Sequence, residues 1–249
     1  MVEMTKNENM NIALIGYGKM GKEIEQIAIS RGHTIVLKVD INNASTYSVE
    51  ELKKADVAIE FSTPEAVINN IYKCFDANVP VVVGTTGWLK QLEEVKSKCS
   101  DKKQTLFYAS NYSIGVNLFF KVNEYLAKLM NAYPEYNVAM EEIHHVHKLD
   151  SPSGTAISLA NQILENNKTK TNWVNVATEN KNELGIISKR IDEVPGTHTV
   201  TYSSAVDEIS MTHIAHNRKG FALGAVIAAE WVKEKKGIFG MNDLLGNSH

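Results

Sequence analysis

Residues 141–155, with the sequence EEIHHVHKLDSPSGT, combine groups that could bind an anion with groups that could deliver a proton. Ser153, Gly154 and Thr155 stand at the first turn of a predicted helix, where unpaired backbone N–H groups and two hydroxyls would bind a carboxylate. Lys148 adds a positive charge a few residues upstream. Because a histidine beside such a group titrates near neutral pH, it can serve as a general acid. The segment therefore predicts a site that holds a carboxylate substrate while one histidine protonates it.

The same segment has two other interpretations, a metal centre and a solvated loop rich in histidine. His144, His145 and His147 are close in sequence, but on a strand the side chain of His144 would point away from the other two. Neither an HExxH spacing nor a cysteine completes a tetrahedral ligand set. We therefore expect no metal here, while the residues alone leave the solvated loop open.

A second motif, GYGKMG, places Gly16, Gly18 and Gly21 in the G-x-G-x-x-G spacing between a predicted strand and a predicted helix. The first glycine would allow a tight turn, the second would let the backbone approach a pyrophosphate, and the third would let helix and strand pack closely. Lys19 and Met20 complete the motif. The spacing predicts a dinucleotide at the helix N-terminus, with a ligand-free glycine turn as the alternative.

Asp40 ends the next predicted strand, 19 residues after the third glycine. A carboxylate at this position can accept hydrogen bonds from both hydroxyls of the adenine ribose. It would repel a 2′-phosphate, and the following Ile41 offers no compensating charge, although Lys19, Lys22 and Lys38 could contribute one. These residues favour NADH over NADPH as the cofactor.

Two further predicted strands end in small hydroxyl residues followed by a helix, within EFSTPEA (60–66) and VVGTTGW (82–88). Ligands of open α/β sheets bind at the carboxyl ends of the strands, so both segments are candidates for cofactor contact. Ordinary turns capped by serine and threonine are the alternative for each.

Strands and helices alternate through the first half of the chain, which predicts a doubly wound parallel sheet. Pro64 is expected at the first position of its helix, and Ser48 with Glu51 is expected to form a capping box. The predicted strands are residues 11–18, 34–40, 55–62, 80–88 and 104–113, and the predicted helices are residues 19–32, 48–54, 63–79 and 89–99.

The pattern changes after about residue 115, where a helix, a strand and a second helix are followed by successive strands without intervening helices. This indicates an open, largely antiparallel or mixed sheet and hence a second, α+β domain. The predicted helices are residues 115–133, 154–167 and 221–237, and the predicted strands are residues 136–145, 173–178, 184–191, 196–205 and 207–216.

The composition excludes several classes of partner. Lys and Arg number 26 against 29 Asp and Glu, a net charge of −3, so no nucleic-acid or anionic membrane surface is expected. The two cysteines, Cys74 and Cys99, are far apart and typical of free thiols in a reducing compartment. No apolar run reaches the ~18 residues of a membrane span, and the polar N-terminus does not resemble a signal peptide. We therefore expect a cytoplasmic protein.

The segment EEIHHVHKLDSPSGTA resembles the signature of the dihydrodipicolinate reductase family, which is close to E-x-x-H-H-x-x-K-x-D-x-P-S-G-T. Other family elements are similar to GYGKMGKEI, EFSTPEA, VVGTTGW, ASNYSIGVN, GTHTV and FALGAVIAAEWV. These matches follow the family order over nearly the whole chain. The resemblance implies an α/β fold with an N-terminal Rossmann-type doubly wound parallel sheet and a second α+β domain built on an open mixed sheet.

The resemblance also implies residue roles. His144 would donate the proton, and Lys148 would bind the substrate and stabilise charge. The substrate-binding residues would be His145, Ser153, Gly154, Thr155 and Arg218. The cofactor-binding residues would be Gly16, Gly18, Lys19, Met20, Gly21, Asp40, Phe61, Ser62, Gly84, Thr85, Thr86, Ser110, Asn111 and Tyr112.

The family's reaction is an NAD(P)H-dependent hydride transfer to a cyclic conjugated imine dicarboxylate, giving tetrahydrodipicolinate in lysine and diaminopimelate biosynthesis. The resemblance implies a dinucleotide-binding domain of residues 1–114 and 218–249, because the C-terminal helix returns to it in this family. Residues 115–217 would form the domain for substrate binding and oligomerisation, building a homotetramer through its sheet. Closure of one domain on the other would exclude water.

The chain departs from the family pattern at three places. The segment between Asp40 and Ser48 is shorter than in many members, Ile41 stands where many carry an arginine, and Val146 replaces a common arginine. Two rival functions remain: another NAD(P)-dependent dehydrogenase of amino-acid metabolism, and a non-catalytic dinucleotide sensor. The dehydrogenase does not account for the combined histidine, lysine and PSGT elements, and the sensor has no need of a proton donor.

Overall fold

The computed structural model describes residues 8–217 and 219–246 of the 249-residue chain. These residues divide into two compact units. The first contains the chain up to Ile114 and the part from Lys219 onward, and the second begins at Gly115.

The first unit is built on six parallel strands. Its strands are β1 (Asn11–Ile15), β2 (Thr34–Val39), β3 (Val57–Glu60), β4 (Val81–Val83), β5 (Thr105–Tyr108) and β11 (Gly237–Phe239). Its helices are α1 (Lys19–Ser30), α2 (Val49–Leu52), α3 (Val67–Ala77), α4 (Leu92–Asp101, preceded by a 3-10 turn at Leu89–Gln91), α7 (Lys219–Val232) and α8 (Met241–Leu244). The strand order is β11-β5-β4-β3-β1-β2, and every neighbouring pair is parallel.

Alternate residues of these strands enter two different cores. Ala13 and Ile15 of β1 pack with α2, α3 and α4, whereas Ile12 and Leu14 pack with α1 and α7. Because side chains alternate along a strand, the central strands β1, β3, β4 and β5 are buried on both faces and are mostly apolar, whereas the edge strand β2 is partly exposed. The predicted doubly wound parallel sheet is therefore confirmed.

Three local expectations can be compared with the elements of this unit. The capping box of α2 is present, with the Ser48 side chain and Glu51 bonded reciprocally. The expected place of Pro64 is wrong: α3 begins at Val67, and Pro64 lies in a turn in which the Thr63 carbonyl accepts the N–H groups of Ala66 and Val67. The predicted helix 221–237 is too long, because α7 ends at Val232 and the chain continues into the unpredicted strand β11.

The second unit has a five-stranded mixed sheet covered on one face by helices. Its strands are β6 (Asn137–His144), β7 (Asn172–Val174), β8 (Glu183–Arg190), β9 (Gly196–Ser203) and β10 (Glu208–Ala215), in the order β10-β9-β6-β8-β7. The pairs β9–β10 and β6–β9 are antiparallel, while β6–β8 and β7–β8 are parallel. Two helices, α5 (Ile114–Met130) and α6 (Gly154–Asn166), supply the apolar residues that pack on the inner face. The mixed sheet of the expected second domain is confirmed.

Candidate active site

The inward face of β6 changes from apolar to polar towards its carboxyl end. Val138 and Met140 belong to the core of the second unit, and the next two buried positions on the same face are Glu142 and His144. On the antiparallel strand β9 the residue directly opposite Glu142 is His198. Strand alternation and register therefore collect a carboxylate and two imidazoles at one end of a buried sheet face.

Glu142 holds the centre of this group. Its Oε2 lies 2.9 Å from Nδ1 of His144, and its Oε1 accepts hydrogen bonds from Nη2 of Arg190 and the backbone N–H of Ser153, both at 3.1 Å. Burial by itself would raise the pKa of the Glu142 carboxyl, but these contacts hold that pKa well below its usual range. The carboxylate is therefore ionised at neutral pH.

His198 is the neutral member of the group. Its Nε2 lies 3.1 Å from Oγ of Ser153 and 3.8 Å from Oε2 of Glu142, and its ring stands edge-on to that of His144 with 5.0 Å between centroids. Burial, and next the proximity of His144, lower the pKa of His198 to about 4. His198 consequently adds no positive charge beside His144 at neutral pH.

Lys148 follows β6 in a turn in which its N–H donates to the carbonyl of His145 at 3.1 Å. Its ammonium group pairs with Asp150 at 2.8 Å, and this contact lowers the pKa of the Asp150 carboxyl. The Asp150 carbonyl also accepts a hydrogen bond of 2.6 Å from Arg190. Arg190 therefore links the buried carboxylate of Glu142 to the turn that carries Lys148 and Asp150, called the lysine turn below.

The remaining histidines of the run leave the sheet. β6 ends at His144, so the expectation that His145 and His147 would share one strand face is wrong. His145 is half-buried with its ring centroid 6.2 Å from that of His147, which is exposed and lies 3.2 Å from Glu193. The structure thus separates a buried histidine, His144, from a partly solvated pair.

The predicted N-terminus of α6 is found where expected, but its three residues differ in what they can offer. Ser153 is buried. Its hydroxyl accepts a hydrogen bond of 3.2 Å from the backbone N–H of Ala156, and its own N–H donates a hydrogen bond to Glu142. Gly154 is exposed, and a side chain there would meet no heavy atom within 4 Å. Thr155 is half-buried. Since first-turn N–H groups have no acceptor within their helix, Gly154 and Thr155 are the part of this terminus best able to bind a carboxylate.

A metal ion would find its nearest ligand set in the same buried group. Glu142, His144 and His198 offer possible ligand atoms within 4.8 Å of one another. Among the residues that the structure describes, this is the group of three that could hold a metal ion. Glu142 is already bonded by Arg190 and Ser153, and His198 by the Ser153 hydroxyl. A guanidinium at the carboxylate opposes a second cation. The guanidinium of Arg190 therefore argues against a metal ion held by these three residues.

The glycine motif has the shape that a dinucleotide needs. Gly16 adopts φ +97, and a side chain on it would overlap the Phe61 carbonyl, while one on Gly21 would overlap the Gly16 carbonyl. Gly18 and Lys19 are exposed at the start of α1, and Met20 is half-buried against the core. The closely packed turn before an open helix N-terminus fits a pyrophosphate.

Asp40 follows β2 in a tight turn. Its Oδ1 accepts the N–H of Asn42 at 2.7 Å, and its own N–H donates to the side chain of Asn43 at 2.7 Å. This turn fixes the carboxylate at the carboxyl end of the strand. Lys38, two residues earlier, pairs with Glu25 of α1 at 2.5 Å.

Phe61, Ser62, Gly84 and Thr85 form one connected group at the ends of β3 and β4. The Phe61 ring lies where a side chain on Gly84 would be, and Ser62 N donates to Thr85 Oγ1 at 2.8 Å. Burial raises the pKa of the underlying Glu60, to which Ser62 is hydrogen-bonded. The structure therefore brings these four predicted residues together and links them to a buried carboxyl.

The predicted residues at the end of β5 differ in exposure. Ser110 is exposed, as is Thr86 after β4, and Asn111 accepts the N–H of Ser113 at 2.9 Å. Tyr112 is buried in the core, where its hydroxyl donates to the Val83 carbonyl at 2.7 Å. Tyr112 thus supports the strand ends from beneath. Arg218 lies outside the described residues.

The sequence analysis missed Glu142, Arg190 and His198. Glu142 could have been found, because it stands two residues before His144 and strand alternation puts both on one face. Arg190 and His198 come from β8 and β9 and depend on sheet register, with Arg190 paired to His144. No local motif announces that register.

Comparison with known proteins extends over almost the whole chain. Residues 10–112 match the family model described as dihydrodipicolinate reductase, N-terminus, and residues 115–245 match the one described as dihydrodipicolinate reductase, C-terminus. The 4-hydroxy-tetrahydrodipicolinate reductase of Christiangramia forsetii is 50% identical over 238 residues, covering 96% of this chain and 98% of that protein. The reductase of the same name from Archaeoglobus fulgidus is 33% identical over 260 residues, covering 95% and 100%.

A solved structure agrees in fold. The dipicolinate-bound dihydrodipicolinate reductase from Paenisporosarcina sp. TG-14 aligns with a TM-score of 0.74 and 25% identity, covering 94% of this chain and 98% of that one. Both family models together span both units, and the relatives match over nearly their full length. By sequence and by fold, the chain belongs to the dihydrodipicolinate reductase family.

Proposed function

We propose that this chain reduces a cyclic conjugated imine dicarboxylate to tetrahydrodipicolinate with NADH or NADPH, as a 4-hydroxy-tetrahydrodipicolinate reductase of lysine and diaminopimelate biosynthesis. The observation that carries the proposal is the buried His144, held 2.9 Å from an ionised Glu142 close to the lysine turn and the start of α6. This arrangement supplies both a proton donor and positive groups for carboxylates.

The substrate carboxylates would be bound by the turn after β6 and by the start of α6. Lys148 brings an ammonium group, His145 a ring nitrogen, and Gly154 and Thr155 the first N–H groups of a helix. Ser153 would contribute by holding the turn, since its hydroxyl and N–H are bonded within the protein. Arg218 remains a further proposed contact. Fixing both carboxylates orients the ring, and orientation contributes several kcal/mol, roughly 7–11 in the best intramolecular cases.

Reduced nicotinamide, when bound, supplies a hydride to the electron-poor ring. The conjugated double-bond system of the ring gains that hydride at one carbon, and the displaced electron pair develops at another. His144 then transfers its proton to the carbon that has gained electron density, which balances the two-electron reduction. Lys148 stabilises the negative charge that develops during transfer. The imidazole leaves the step neutral and is protonated again from solvent.

The cofactor would be held by the residues at the carboxyl ends of the parallel strands. Gly16, Gly18 and Gly21 would receive the pyrophosphate, with Lys19 and Met20 beside it, and Asp40 would bind the adenine ribose. Phe61, Ser62, Gly84, Thr85, Thr86, Ser110, Asn111 and Tyr112 would form or support the nicotinamide side. We infer a preference for NADH, because Asp40 repels a 2′-phosphate and Ile41 supplies no positive charge.

Assembly and location follow from the same proposal. The chain would form a homotetramer through the sheet of the second unit and would act in the cytoplasm. Cys74 and Cys99 are buried free thiols, which supports a reducing compartment. Within the described residues, no helix combines the length and the apolar character needed to cross a membrane. Light scattering on the purified protein would measure the subunit number directly.

The test couples the upstream synthase to this protein and follows the absorbance of each reduced cofactor. We expect the reduced cofactor to be consumed only when the synthase product is present. Pyridine-2,6-dicarboxylate should inhibit this consumption competitively. Oxidation of NADH with an amino acid or oxo acid instead would favour the rival dehydrogenase. Cofactor binding without turnover of any imine substrate would favour the non-catalytic sensor.

A further inference from the structure

We propose that Glu142 and Gly196 are positioning residues for proton transfer: Glu142 directs the transferable proton of His144 to Nε2, and Gly196 keeps the space in front of Nε2 open. This inference rests on the proposed reductase function and deepens it by naming the donor atom.

The first step of the argument concerns the nitrogen that faces the carboxylate. Nδ1 of His144 lies 2.9 Å from Oε2 of Glu142, inside a group where both side chains are buried. The two atoms are not aligned as a hydrogen bond in this conformation, but a negative charge 2.9 Å from Nδ1 favours a hydrogen on that nitrogen over one on Nε2 electrostatically, and an ionised carboxylate has no hydrogen to donate. Nδ1 therefore carries a hydrogen whether the ring is neutral or charged. The proton that comes and goes is the one on Nε2, as in other sites where a carboxylate fixes the tautomer of a histidine.

The second step concerns the charges around the pair. From β8, Arg190 bonds Oε1 of Glu142, and from the turn after β6, Lys148 faces the group with its partner Asp150. These contacts keep Glu142 ionised while its Oε2 remains directed at His144.

Two further imidazoles lie on the β9 and β10 side of the group. His198 is held near Ser153, and His213 lies close enough to His198 to lower its pKa, after burial and His144. Burial also lowers the pKa of His213 itself. Both rings are therefore expected to be neutral at neutral pH. Neither competes with His144 for the charge of Glu142.

The third step concerns the other edge of the ring. A side-chain carbon on Gly196 would lie 3.0 Å from Nε2 and 3.3 Å from Cδ2 of His144, closer than most non-bonded carbon contacts. Gly196 begins β9 on the same buried face as His198, and its φ is +155. Glycine at this position therefore avoids a close contact between β9 and Nε2 of His144.

The decisive experiment compares Glu142→Gln with Glu141→Gln in the full-length protein. Glutamine has the shape of glutamate without its charge, and Glu141 lies on the opposite face of β6, paired with Lys189 at 2.5 Å. We expect Glu142→Gln to lower kcat on the order of 10–100-fold, as when other carboxylates that orient an imidazole are removed, with the KM for NADH unchanged. Glu141→Gln should stay near wild type, and Glu142→Asp should recover part of kcat.

The pH profile separates positioning from a structural defect. A general acid must be protonated, so kcat falls as pH rises. A structural defect would lower kcat equally at all pH values, whereas loss of the Glu142 charge beside His144 should change the shape of the Glu142→Gln profile. A profile of unchanged shape with lower amplitude would overturn the proposed role of Glu142.

A readout that needs no turnover is the long-range ¹H–¹⁵N spectrum of the protein labelled in histidine. The signal that disappears in His144→Gln belongs to His144. In wild type the neutral His144 ring should be the Nδ1–H tautomer. In Glu142→Gln this preference for Nδ1–H should be lost. An Nε2–H tautomer in wild type would refute the inference even if the enzyme is active. Absence of reductase activity in wild type would instead refute the proposed function, so the two failures are distinguishable.

Gly196→Ala tests the open edge. We expect kcat to fall by about tenfold or more, while binding of pyridine-2,6-dicarboxylate, measured by calorimetry, stays close to wild type. The unfolding midpoint should also fall, because φ +155 strains any residue other than glycine. If the alanine variant fails to fold, the tautomer measured in Glu142→Gln still decides the inference. Wild-type kcat in a folded Gly196→Ala protein would remove Gly196 from the proposal.

Discussion

The carboxylate of Glu25 on α1 lies 2.5 Å from the ammonium group of Lys38, which belongs to β2, the strand that leads to Asp40. The hydroxyl of Tyr17 donates a hydrogen bond to the carboxylate of Glu25 as well. The largest effect on the pKa of each group comes from the other: Glu25 raises the pKa of Lys38, and Lys38 lowers the pKa of Glu25. The cation nearest to Asp40 along β2 is thus already neutralised. We therefore expect Glu25, together with Asp40, to disfavour a 2′-phosphate.

Glu25→Gln is expected to raise kcat/KM for NADPH by about fivefold, the equivalent of about 1 kcal/mol for an unscreened surface charge, and to leave NADH use unchanged. The released Lys38 would be available to a 2′-phosphate. Steady-state kinetics with both cofactors at low salt measures the ratio. The gain should vanish in Glu25→Gln/Lys38→Gln. A wild-type enzyme that strongly prefers NADPH would contradict the inferred ribose pocket.

His144→Gln is expected to reduce kcat by ~10²–10⁴-fold, the usual contribution of a general acid. Cofactor affinity, measured by quenching or calorimetry, should change little because His144 belongs to the second unit. His147→Gln is the matched control, since His147 is exposed; its described contacts are Glu193 at 3.2 Å and the ring of His145, with 6.2 Å between centroids. Equal turnover in both variants would exclude His144 as the proton donor.

Stability should depend on pH through His198. Its pKa is lowered from 6.5 to about 4 in the folded protein, so the unfolded chain binds more protons between these values. The free energy of unfolding therefore falls as pH decreases from 6.5 towards 4, by at most about 3 kcal/mol from this residue. Urea unfolding of His198→Gln across this interval should show a shallower decrease. An identical slope in variant and wild type would mean that another group controls acid unfolding.

Gly224→Ala should destabilise the first unit. A methyl group at this position of α7 would overlap the carbonyl of Tyr112, so the helix would have to move off the sheet, at a cost of about 1–3 kcal/mol or more. Gly220→Ala in the same helix is the control, because its added carbon would lie 3.6 Å from Ser113 Oγ, an ordinary contact. Chemical denaturation measures both. A loss of stability equal in the two variants would point to helix propensity and not to contact with Tyr112.

The sequence predicted the fold well where the chemistry is local. The glycine turn, the capping box at Ser48 and the apolar strands each follow from a few neighbouring residues. The helix after β3 was expected to begin at Pro64 but begins at Val67, because a proline is equally suited to a turn that precedes a helix. The three-residue strand β11 was missed because it is too short to show alternation, and only its neighbour β5 makes it a strand.

The candidate site was predictable in part for the same reason. His144, Lys148 and the start of α6 lie in one short run, so their proximity is nearly guaranteed by the chain. Glu142 needed the alternation of a strand, and His198 needed the register of β6 against β9. The hydrogen bonds of Ser153 to Glu142 and His198 could not be predicted, because these partners lie on β6 and β9 and are brought to Ser153 only by the folded sheet.

The helix α7 and the strand β11 complete the first unit but are encoded after the whole of the second. During synthesis one apolar side of the nascent sheet, including Ile12, Leu14 and Phe107, is therefore covered by α1 alone until α7 is made. The later-encoded sheet of the second unit can fold before the earlier one is finished. Because α7 and β11 are synthesised after the second unit, a chain that stops before them leaves part of this apolar side exposed to aggregation.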